Sequence, residues 1–267
     1  MARRLVWTSA ARSHVGTVRS INEDAFLEMP RLGLGGLWAV ADGMGGHEAG
    51  DVASQTIIDM LRQVPPPSNP ATFINTVELA LQRANYLLQE KSAADYQRRI
   101  IGSTVAVLIV FGNQACCLWV GDSRAYRLRN GQLQQLTRDH SHVQELLDRG
   151  LITSTEALRH PMANVITRAV GSSDTLRIDK KSFTLEPGDV FLLCSDGLNK
   201  ALADEEIAQL LAAANHYSVV QALIHTALIR GANDNVTSAV IRIIREEPDL
   251  EATAKTVPLQ KPRFWRR

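Results

Sequence analysis

The sequence predicts an α+β fold in which largely antiparallel β-sheets are covered by pairs of α-helices. Short apolar runs follow one another along the chain and are separated by tight turn signals, a pattern typical of strands joined in hairpins. Two helical stretches come before most of these strands, and two come near the end of the chain. Strands and helices do not alternate regularly, so the pattern argues against a parallel sheet built from strand–helix–strand units.

The first third of the chain predicts extended structure, a strand and two helices. Residues 5–26 are predicted to be extended around a loop, and residues 37–41 form an apolar strand. The glycine-rich run at 43–46 predicts a turn. Amphipathic helices are predicted at 48–62 and 73–96, because the proline-rich segment between them can continue neither helix.

The rest of the sequence, from about residue 103, predicts mainly strands and three further helices. Strands are predicted at 103–111, 114–120, 125–129, 132–136, 181–185, 190–194 and 236–244. The pair Asn130-Gly131 between two of them is a strong hairpin signal. Helices are predicted at 140–149, 204–214 and 218–230. Residues 153–171 predict an irregular excursion over the surface.

Composition narrows the class of protein. The net charge of +1 at pH 7 implies no bulk attraction to nucleic acid or to an anionic membrane. The three cysteines have no spacing typical of zinc or disulfide sites, which indicates buried reduced thiols and a cytoplasmic location. No signal-peptide segment and no apolar run of the roughly 20 residues that span a bilayer is apparent. We therefore expect a soluble protein with no membrane insertion and no nucleic-acid partner.

Four aspartates lie where apolar strands meet turn signals. Asp42, Asp122 and Asp196 end such strands, and Asp234 comes just before the last one. Each alone is ordinary turn chemistry, but the repetition suggests carboxylates that converge on one centre. Converging carboxylates repel one another unless a cation lies among them. An oxygen-only ligand set suits Mg²⁺ or Mn²⁺ better than Zn²⁺.

A site that holds two Mg²⁺ or Mn²⁺ ions is suited to phosphoryl chemistry. Two divalent ions held by carboxylates can activate a water and clamp a phosphoryl group. A phosphate also favours an arginine fork, and Arg19 is the candidate upstream of the first aspartate. A metal-dependent nuclease would instead favour a basic groove with stacking aromatic side chains, whereas aromatic residues make up only 5% of this chain.

Six short motifs follow one another along the chain. They are Arg19…Asn22-Glu23-Asp24, Val40-Ala-Asp42-Gly43-Met-Gly-Gly46-His47, Gly102-Ser103-Thr104, Val120-Gly-Asp122-Ser-Arg124, Ser195-Asp196-Gly197-Leu198 and Asn233-Asp234-Asn235-Val236-Thr237. This ordered set resembles the metal-dependent serine/threonine protein phosphatases of type 2C (the PPM family), over about residues 5–244. The Asp-Gly-Met-Gly-Gly-His form and the compact size resemble the bacterial stand-alone branch.

The resemblance implies a fold and a domain plan. The expected fold is a four-layer α-β-β-α sandwich with two central antiparallel sheets, which agrees with the pattern of strands and helices. Residues 5–244 would form the phosphatase domain, and residues 245–267 a flexible C-terminal tail. The expected cofactors are Mg²⁺ or Mn²⁺, with two ions in a core site and room for a third.

The resemblance also implies roles for the metal-site residues. Asp42 would bridge the two metals, and the Gly43 carbonyl would help to hold the second. Asp196 and Asp234 would complete the first metal's ligands. The remaining acids would act farther out: Glu23 and Asp24 through waters at the second metal, and Asp122, together with Asp196, at a third.

Two residues would act on the substrate rather than on the metals. Arg19 would bind the substrate phosphate, and His47 would protonate the leaving Ser or Thr oxygen. A metal-bridging water would attack phosphorus directly.

Two of these assignments have competing interpretations, and one residue weakens the case for a third ion. Asp122 fits a structural turn that bonds the following backbone. His47 fits an N-capping or solvated position before the helix that starts at residue 48. Lys200 stands where many relatives have an acidic or amide residue, so its charge would compete with an ion at the third site.

The predicted function is therefore hydrolysis of phosphoserine and phosphothreonine in proteins, opposing a bacterial Ser/Thr kinase. The opening residues 9–16 also resemble phosphatases that accompany type VI secretion kinases. The alternative is a catalytically silent phosphoprotein-binding module of the same fold. Such a module would usually lack a strand-end aspartate or the phosphate arginine, both of which this chain retains.

Overall fold

The computed structural model describes residues 4–45, 49–95, 101–157, 159–213 and 215–246. Nearly all of the predicted C-terminal tail lies outside these residues. The strands are β1 (Leu5–His14), β2 (Asp24–Leu32), β3 (Gly35–Met44), β4 (Gly102–Ser103), β5 (Val105–Phe111), β6 (Gln114–Val120), β7 (Arg124–Arg129), β8 (Gln132–Gln135), β9 (Asp179–Thr184), β10 (Val190–Cys194) and β11 (Val236–Arg245). The helices are α1 (Ala49–Arg62), α2 (Pro70–Asp95), α3 (His142–Asp148), α4 (Ser154–Ala157), α5 (Asp196–Ala201), α6 (Asp204–Leu211) and α7 (His216–Ile229).

The strands form two antiparallel sheets. One sheet has the order β1-β11-β10-β7-β8, and the other has the order β2-β3-β5-β6-β9, with β4 paired to the end of β3. The first and last strands of the chain pair along their whole length, from Leu5 opposite Arg245 to His14 opposite Val236. This pairing joins residues from the two ends of the described chain.

Three apolar layers hold the elements together. Between the two sheets lie Trp38, Leu108, Phe191 and Ile241, all at most 1% exposed. On the outer face of the second sheet, α1 and α2 cover alternate residues of the same strands, such as Leu37. The outer face of the first sheet is covered by α5, α6 and α7. Successive residues of a strand point to opposite faces, so fully buried strands such as β10 read as continuous apolar runs.

This architecture confirms the predicted α-β-β-α sandwich. The predicted hairpin is also confirmed, because Asn130 and Gly131 both have positive φ, of 51° and 77°, as a tight two-residue turn requires. Helix α5 was not predicted, since its six residues are too few to show a helical period. No helix in the described part of the chain combines the length and the apolar character needed to cross a membrane.

Candidate metal centre

The two sheets bring their acidic strand ends to one place. Asp24, at the start of β2, lies directly opposite Asp42 in β3. Asp122 lies in the turn that follows β6, and Asp196 is the first residue of α5, two positions after the end of β10. Four carboxylates lie close enough to Asp42 to raise the pKa of Asp42. They belong to Asp24, Asp196, Asp122 and Asp234. Carboxylates that are far apart in sequence therefore converge, as the spacing of the motifs predicts.

A serine hydroxyl joins the sheets at this point. Ser195 Oγ donates to Asp24 Oδ2 at 2.7 Å and accepts from the backbone N–H of Thr237 at 2.9 Å. Asp24 belongs to one sheet, whereas Ser195 and Thr237 belong to the other. These contacts give Ser195 a structural role, because they hold the Asp24 carboxylate in place.

The end of β3 around Asp42 is held by close backbone packing. Gly43 and Met44, predicted to begin a turn, instead continue the strand and pair with β4. The Gly43 N–H donates to the Glu23 carbonyl at 3.1 Å. A Cβ on Gly43 would lie 1.9 Å from the Gly50 carbonyl oxygen, so a side chain cannot be accommodated there. The Asp42 carbonyl accepts from Thr104 N at 2.9 Å, which anchors the other side of this strand end. Helix α1 thereby begins directly against the strand that carries Asp42.

The loop that carries Arg19 is anchored by one buried amide. Asn235 Nδ2 donates to the carbonyls of Val15 and Ile21 at 2.9 and 3.0 Å, and its Oδ1 accepts from the N–H of Glu23 at 2.8 Å. This single side chain fixes both ends of the loop. Arg19 then reaches back, and its Nη2 donates to Asp234 Oδ2 at 2.9 Å. The rest of its guanidinium group has no hydrogen-bond partner among the described residues.

Burial and mutual repulsion strongly perturb the acids. Burial, followed by the charges of the neighbouring carboxylates, raises the pKa of Asp42 well above its usual range. Burial also raises the pKa values of Asp24 and Asp122 to about 7, and the charge of Asp196 adds to both shifts. Oδ1 of Asp24, of Asp122 and of Asp196 is buried without a hydrogen-bond partner among the described residues. Buried carboxylate oxygens without partners fit a site that takes up hard divalent cations.

Two side-chain cations already contact the cluster. Lys200 Nζ donates to Asp196 Oδ2 one helical turn away on α5, while Arg19 pairs with Asp234. Burial opposes the charge of Lys200, but the carboxylates of Asp196, Asp122 and Asp42 raise its pKa overall. No three acidic, histidine or cysteine side chains within the described ranges form a preformed ligand group. The orphaned oxygens and close carboxylates nevertheless make these residues chemically suited to such ions.

Asp122 is supported from behind by a buried histidine that sequence reasoning left without a role. His140 Nδ1 accepts from the N–H of Gly121 at 3.0 Å, and the His140 N–H donates to the Gly121 carbonyl at 2.9 Å. Because Nδ1 accepts, Nε2 carries the proton and donates to Asp179 Oδ2 at 3.2 Å. The ring stacks on Trp119. Nothing in the local sequence around His140 indicates that its ring supports the backbone of Gly121.

The predicted irregular segment lies beside the site. Its described residues contain the short helix α4 and are otherwise irregular, and isolated bridges tie Ile166 to Ser141 and Val170 to Ser103. With α3 it borders a cavity of about 870 Å³ whose charged lining includes Arg19, Asp122, Asp196, Lys200 and Asp234. The site is thus an acidic floor beneath a wide cavity.

The predicted site residues are distributed as follows. Arg19, Asp24, Asp42, Asp122, Asp196 and Asp234 lie together, and Gly43 follows Asp42 in β3. Glu23 lies next to them, with its carboxylate against the backbone of Gly50 in the first turn of α1, and burial raises its pKa. His47 lies outside the described residues, so its predicted role in proton transfer remains a prediction. The charge of Lys200 was predicted to compete with an ion at the third site. In the structure Lys200 pairs directly with Asp196, which lies four residues earlier and therefore one turn away on α5.

Comparisons with known proteins all match protein phosphatases. A family model described as protein phosphatase 2C matches residues 10–236. The chain is 36% identical over 248 residues to the serine/threonine protein phosphatase PstP of Mycobacterium tuberculosis, covering 91% of this chain and 46% of PstP. It therefore spans about half the length of that relative. It is 32% identical to protein phosphatase PhpP of Streptococcus pneumoniae, covering 88% of this chain and 97% of PhpP.

Solved structures share the fold. The chain is similar, with a TM-score of 0.82 and 45% identity, to PppA, described as a key regulatory component of T6SS in Pseudomonas aeruginosa, over 90% of this chain and 98% of that one. It is also similar, with a TM-score of 0.81 and 34% identity, to the catalytic domain of PstP in complex with two manganese ions, over 90% of this chain and 99% of that one.

Proposed function

The chain belongs to the protein phosphatase 2C family, and from this premise we propose that it is a Mg²⁺- or Mn²⁺-dependent protein serine/threonine phosphatase. The observation that carries the proposal is the convergence of Asp24, Asp122 and Asp196 around Asp42. Each of the first three has one buried carboxylate oxygen without a hydrogen-bond partner among the described residues. Burial raises the pKa values of Asp24, Asp42 and Asp122, so these acids are suited to exchange protons for divalent ions. The proposal assigns residues 5–244 to one catalytic domain and residues 245–267 to a tail.

The acids divide by their position in the cluster. Asp42 has the other four carboxylates around it, which supports the bridging role between two ions. Asp196 and Asp234 lie on the cavity side with Arg19 and Lys200, which supports a role as ligands of the first ion. The Gly43 carbonyl, with Glu23 and Asp24, would serve the second ion. When bound, a pair of Mg²⁺ or Mn²⁺ ions supplies an activated water for direct attack on phosphorus and neutralises the developing charge.

Arg19 is suited to orient the substrate. One nitrogen of its guanidinium group is held by Asp234, while the remaining donors have no partner among the described residues. An arginine anchored at one corner can offer its other donors to the phosphate oxygens without losing its position. The attack forms a bond from the water oxygen to phosphorus and breaks the bond to the Ser or Thr oxygen, which then needs a proton. We assign that proton transfer to His47, in keeping with the sequence motif.

A direct assay tests the proposal. We expect the protein to hydrolyse p-nitrophenyl phosphate and a phosphothreonine peptide with Mn²⁺ or Mg²⁺, and to lose this activity in EDTA. Asp42→Asn should reduce turnover by a factor of about a thousand or more, since electrostatic stabilisation of the transition state depends on bound ions. Turnover in the folded parent protein that is independent of metal, or unaffected by Asp42→Asn, would contradict the proposal.

The competing function is a silent phosphoprotein-binding module. The retention of Arg19, Asp42, Asp196 and Asp234 in one cluster favours the enzyme. A module of this kind would bind the phosphothreonine peptide but show no hydrolysis with either metal.

The biological setting is proposed from the relatives. Similarity to PppA, whose description names T6SS, supports a role opposite a Ser/Thr kinase in type VI secretion control. The partners would be phosphorylated proteins and that kinase. The cysteines described as free and buried, Cys116, Cys117 and Cys194, support a cytoplasmic location. Deleting the gene should raise Ser/Thr phosphorylation of the kinase's substrates, and restoring Asp42→Asn should not reverse this change.

A further inference from the structure

The cavity above the acids is much larger than a phosphate group needs. Its volume of about 870 Å³ is in the range of pockets that hold a whole drug-sized ligand. The charged groups that suit phosphate occupy only part of the lining. The remainder of the lining is therefore available to contact the peptide to which the phosphate is attached.

That remainder contains an apolar wall. It consists of Val143 and Leu147 on α3, Ala157 on α4, and Ala163 in the turns that follow. Val143 and Leu147 are four positions apart, so they lie on the same face of α3. Helix α3 buries none of its residues within the protein, and both side chains are only half-buried. The helix thus presents an apolar face to the catalytic cavity instead of to a core.

Two amides in the same cavity suit a peptide backbone. Asn164 and Asn233 line the same cavity, and their side chains have no hydrogen-bond partner within the described ranges. A primary amide can donate to a carbonyl and accept from an N–H, so it can match either group of an extended peptide. The cavity therefore combines a phosphate end, neutral groups for a backbone and an apolar surface for a side chain.

We propose that the apolar wall binds an aliphatic side chain next to the phosphorylated residue, so that the enzyme prefers phosphosites flanked by residues such as leucine. This inference rests on the proposed phosphatase function and adds a substrate class to it. An aliphatic neighbour would bury apolar surface against Val143 and Leu147. A polar or charged neighbour would lose water there without gaining a partner on the wall, so it would bind less well.

Two peptides test this preference. They carry one phosphothreonine and differ only in its two neighbours, which are leucine in one and serine in the other. We expect kcat/KM of the Mn²⁺-loaded parent to be about tenfold higher for the leucine peptide, through a lower KM. Val143→Ala and Leu147→Ala should each reduce this ratio, and the double variant should bring it close to one.

The control lies on the same helix. Leu146 is also half-buried but does not line the cavity, so Leu146→Ala should keep the leucine-to-serine ratio of the parent. Equal kcat/KM for the two peptides in a parent that hydrolyses p-nitrophenyl phosphate would overturn the wall assignment alone. A preference for leucine that survives the double variant would also overturn it. If the parent failed to hydrolyse p-nitrophenyl phosphate with either metal, the proposed function itself would fall.

Discussion

Lys200 shows how one residue can alter the charge of an otherwise standard acidic site. Its ammonium group pairs with Asp196, and the carboxylates of Asp122 and Asp42 also raise its pKa. We therefore expect the parent to take up two Mn²⁺ ions per chain. Lys200→Asp should bind a further ion at least about tenfold more tightly than the parent, because it replaces a positive charge beside the site with a negative one. A neighbouring charge shifts the proton affinity of a carboxylate by about one to three log units, and we expect an effect of similar size on the affinity for a cation.

Isothermal titration and equilibrium dialysis with Mn²⁺ measure this difference without any assay of activity. Lys181→Asp on the exposed part of β9 makes the same charge change far from the cluster and serves as the control. Equal numbers and affinities of bound ions in the parent and in Lys200→Asp would show that Lys200 does not compete with metal.

Among the contacts of the His140 ring, the one that satisfies a buried backbone group is the hydrogen bond from the N–H of Gly121. Without the ring, the buried N–H of Gly121 loses its partner, and an unsatisfied buried donor costs about 1–3 kcal/mol. His140→Ala should lower the free energy of unfolding by that amount in urea denaturation with EDTA. His140→Asn can keep an acceptor near the Nδ1 position, so it should recover much of the loss. If the two variants were equally unstable, the bond to Gly121 would not be the cause.

At the scale of elements, the loop between β1 and β2 depends on an amide from the opposite end of the chain. Asn235→Ala removes three hydrogen bonds that hold this loop. We expect a higher KM for p-nitrophenyl phosphate, by roughly a factor of ten or more, because Arg19 is no longer held in its position over the site. We also expect a lower melting temperature.

The matched control is Asn113→Ala, since Asn113 is exposed in a hairpin turn and its side chain has no partner among the described residues. That variant should leave both KM and melting temperature unchanged. An unchanged KM in Asn235→Ala would mean that the loop does not position Arg19.

Elements differ in how far their sequences predict them. Strand β6 is an unbroken apolar run between a Gly-Asn turn and a Gly-Asp turn, and its observed bounds equal the predicted ones. The helix predicted at 140–149 begins only at His142, because His140 pairs through its backbone with Gly121 and Thr167. This long-range pairing overrides the local helical pattern and leaves no trace in the local sequence.

At the scale of the whole molecule, the buried acids make the stability of the metal-free protein depend on pH. The pKa values of Asp24 and Asp122 rise to about 7 from an ordinary 3.8, so the folded state holds more protons than the unfolded state between those pH values. Stability must then fall as the pH rises through this window. We expect the melting temperature in EDTA to drop by roughly 5 °C or more from pH 5 to pH 7.5, equivalent to about 1–2 kcal/mol.

Metal should reverse this trend, because ions and protons compete for the same oxygens. The stabilisation by saturating Mn²⁺ should be larger at pH 7.5 than at pH 5. Asp122→Asn removes one of the titrating acids and should make the pH dependence in EDTA shallower. A metal-free parent that becomes more stable between pH 5 and pH 7.5 would contradict the proposed origin of the shifts.

The sequence by itself determined the family, the positions of most strands along the chain and the acids expected to converge. Apolar runs that end at Asp42, Asp122 and Asp196 carry that information locally, and the motifs occur in a specific order. Only the tertiary structure decided that Lys200 pairs with Asp196, that His140 supports Gly121, and that the apolar face of α3 borders the cavity. The physical reason is that a pattern of residues encodes which face of an element is buried, whereas contacts between side chains remote in sequence depend on how the two sheets and their helices pack.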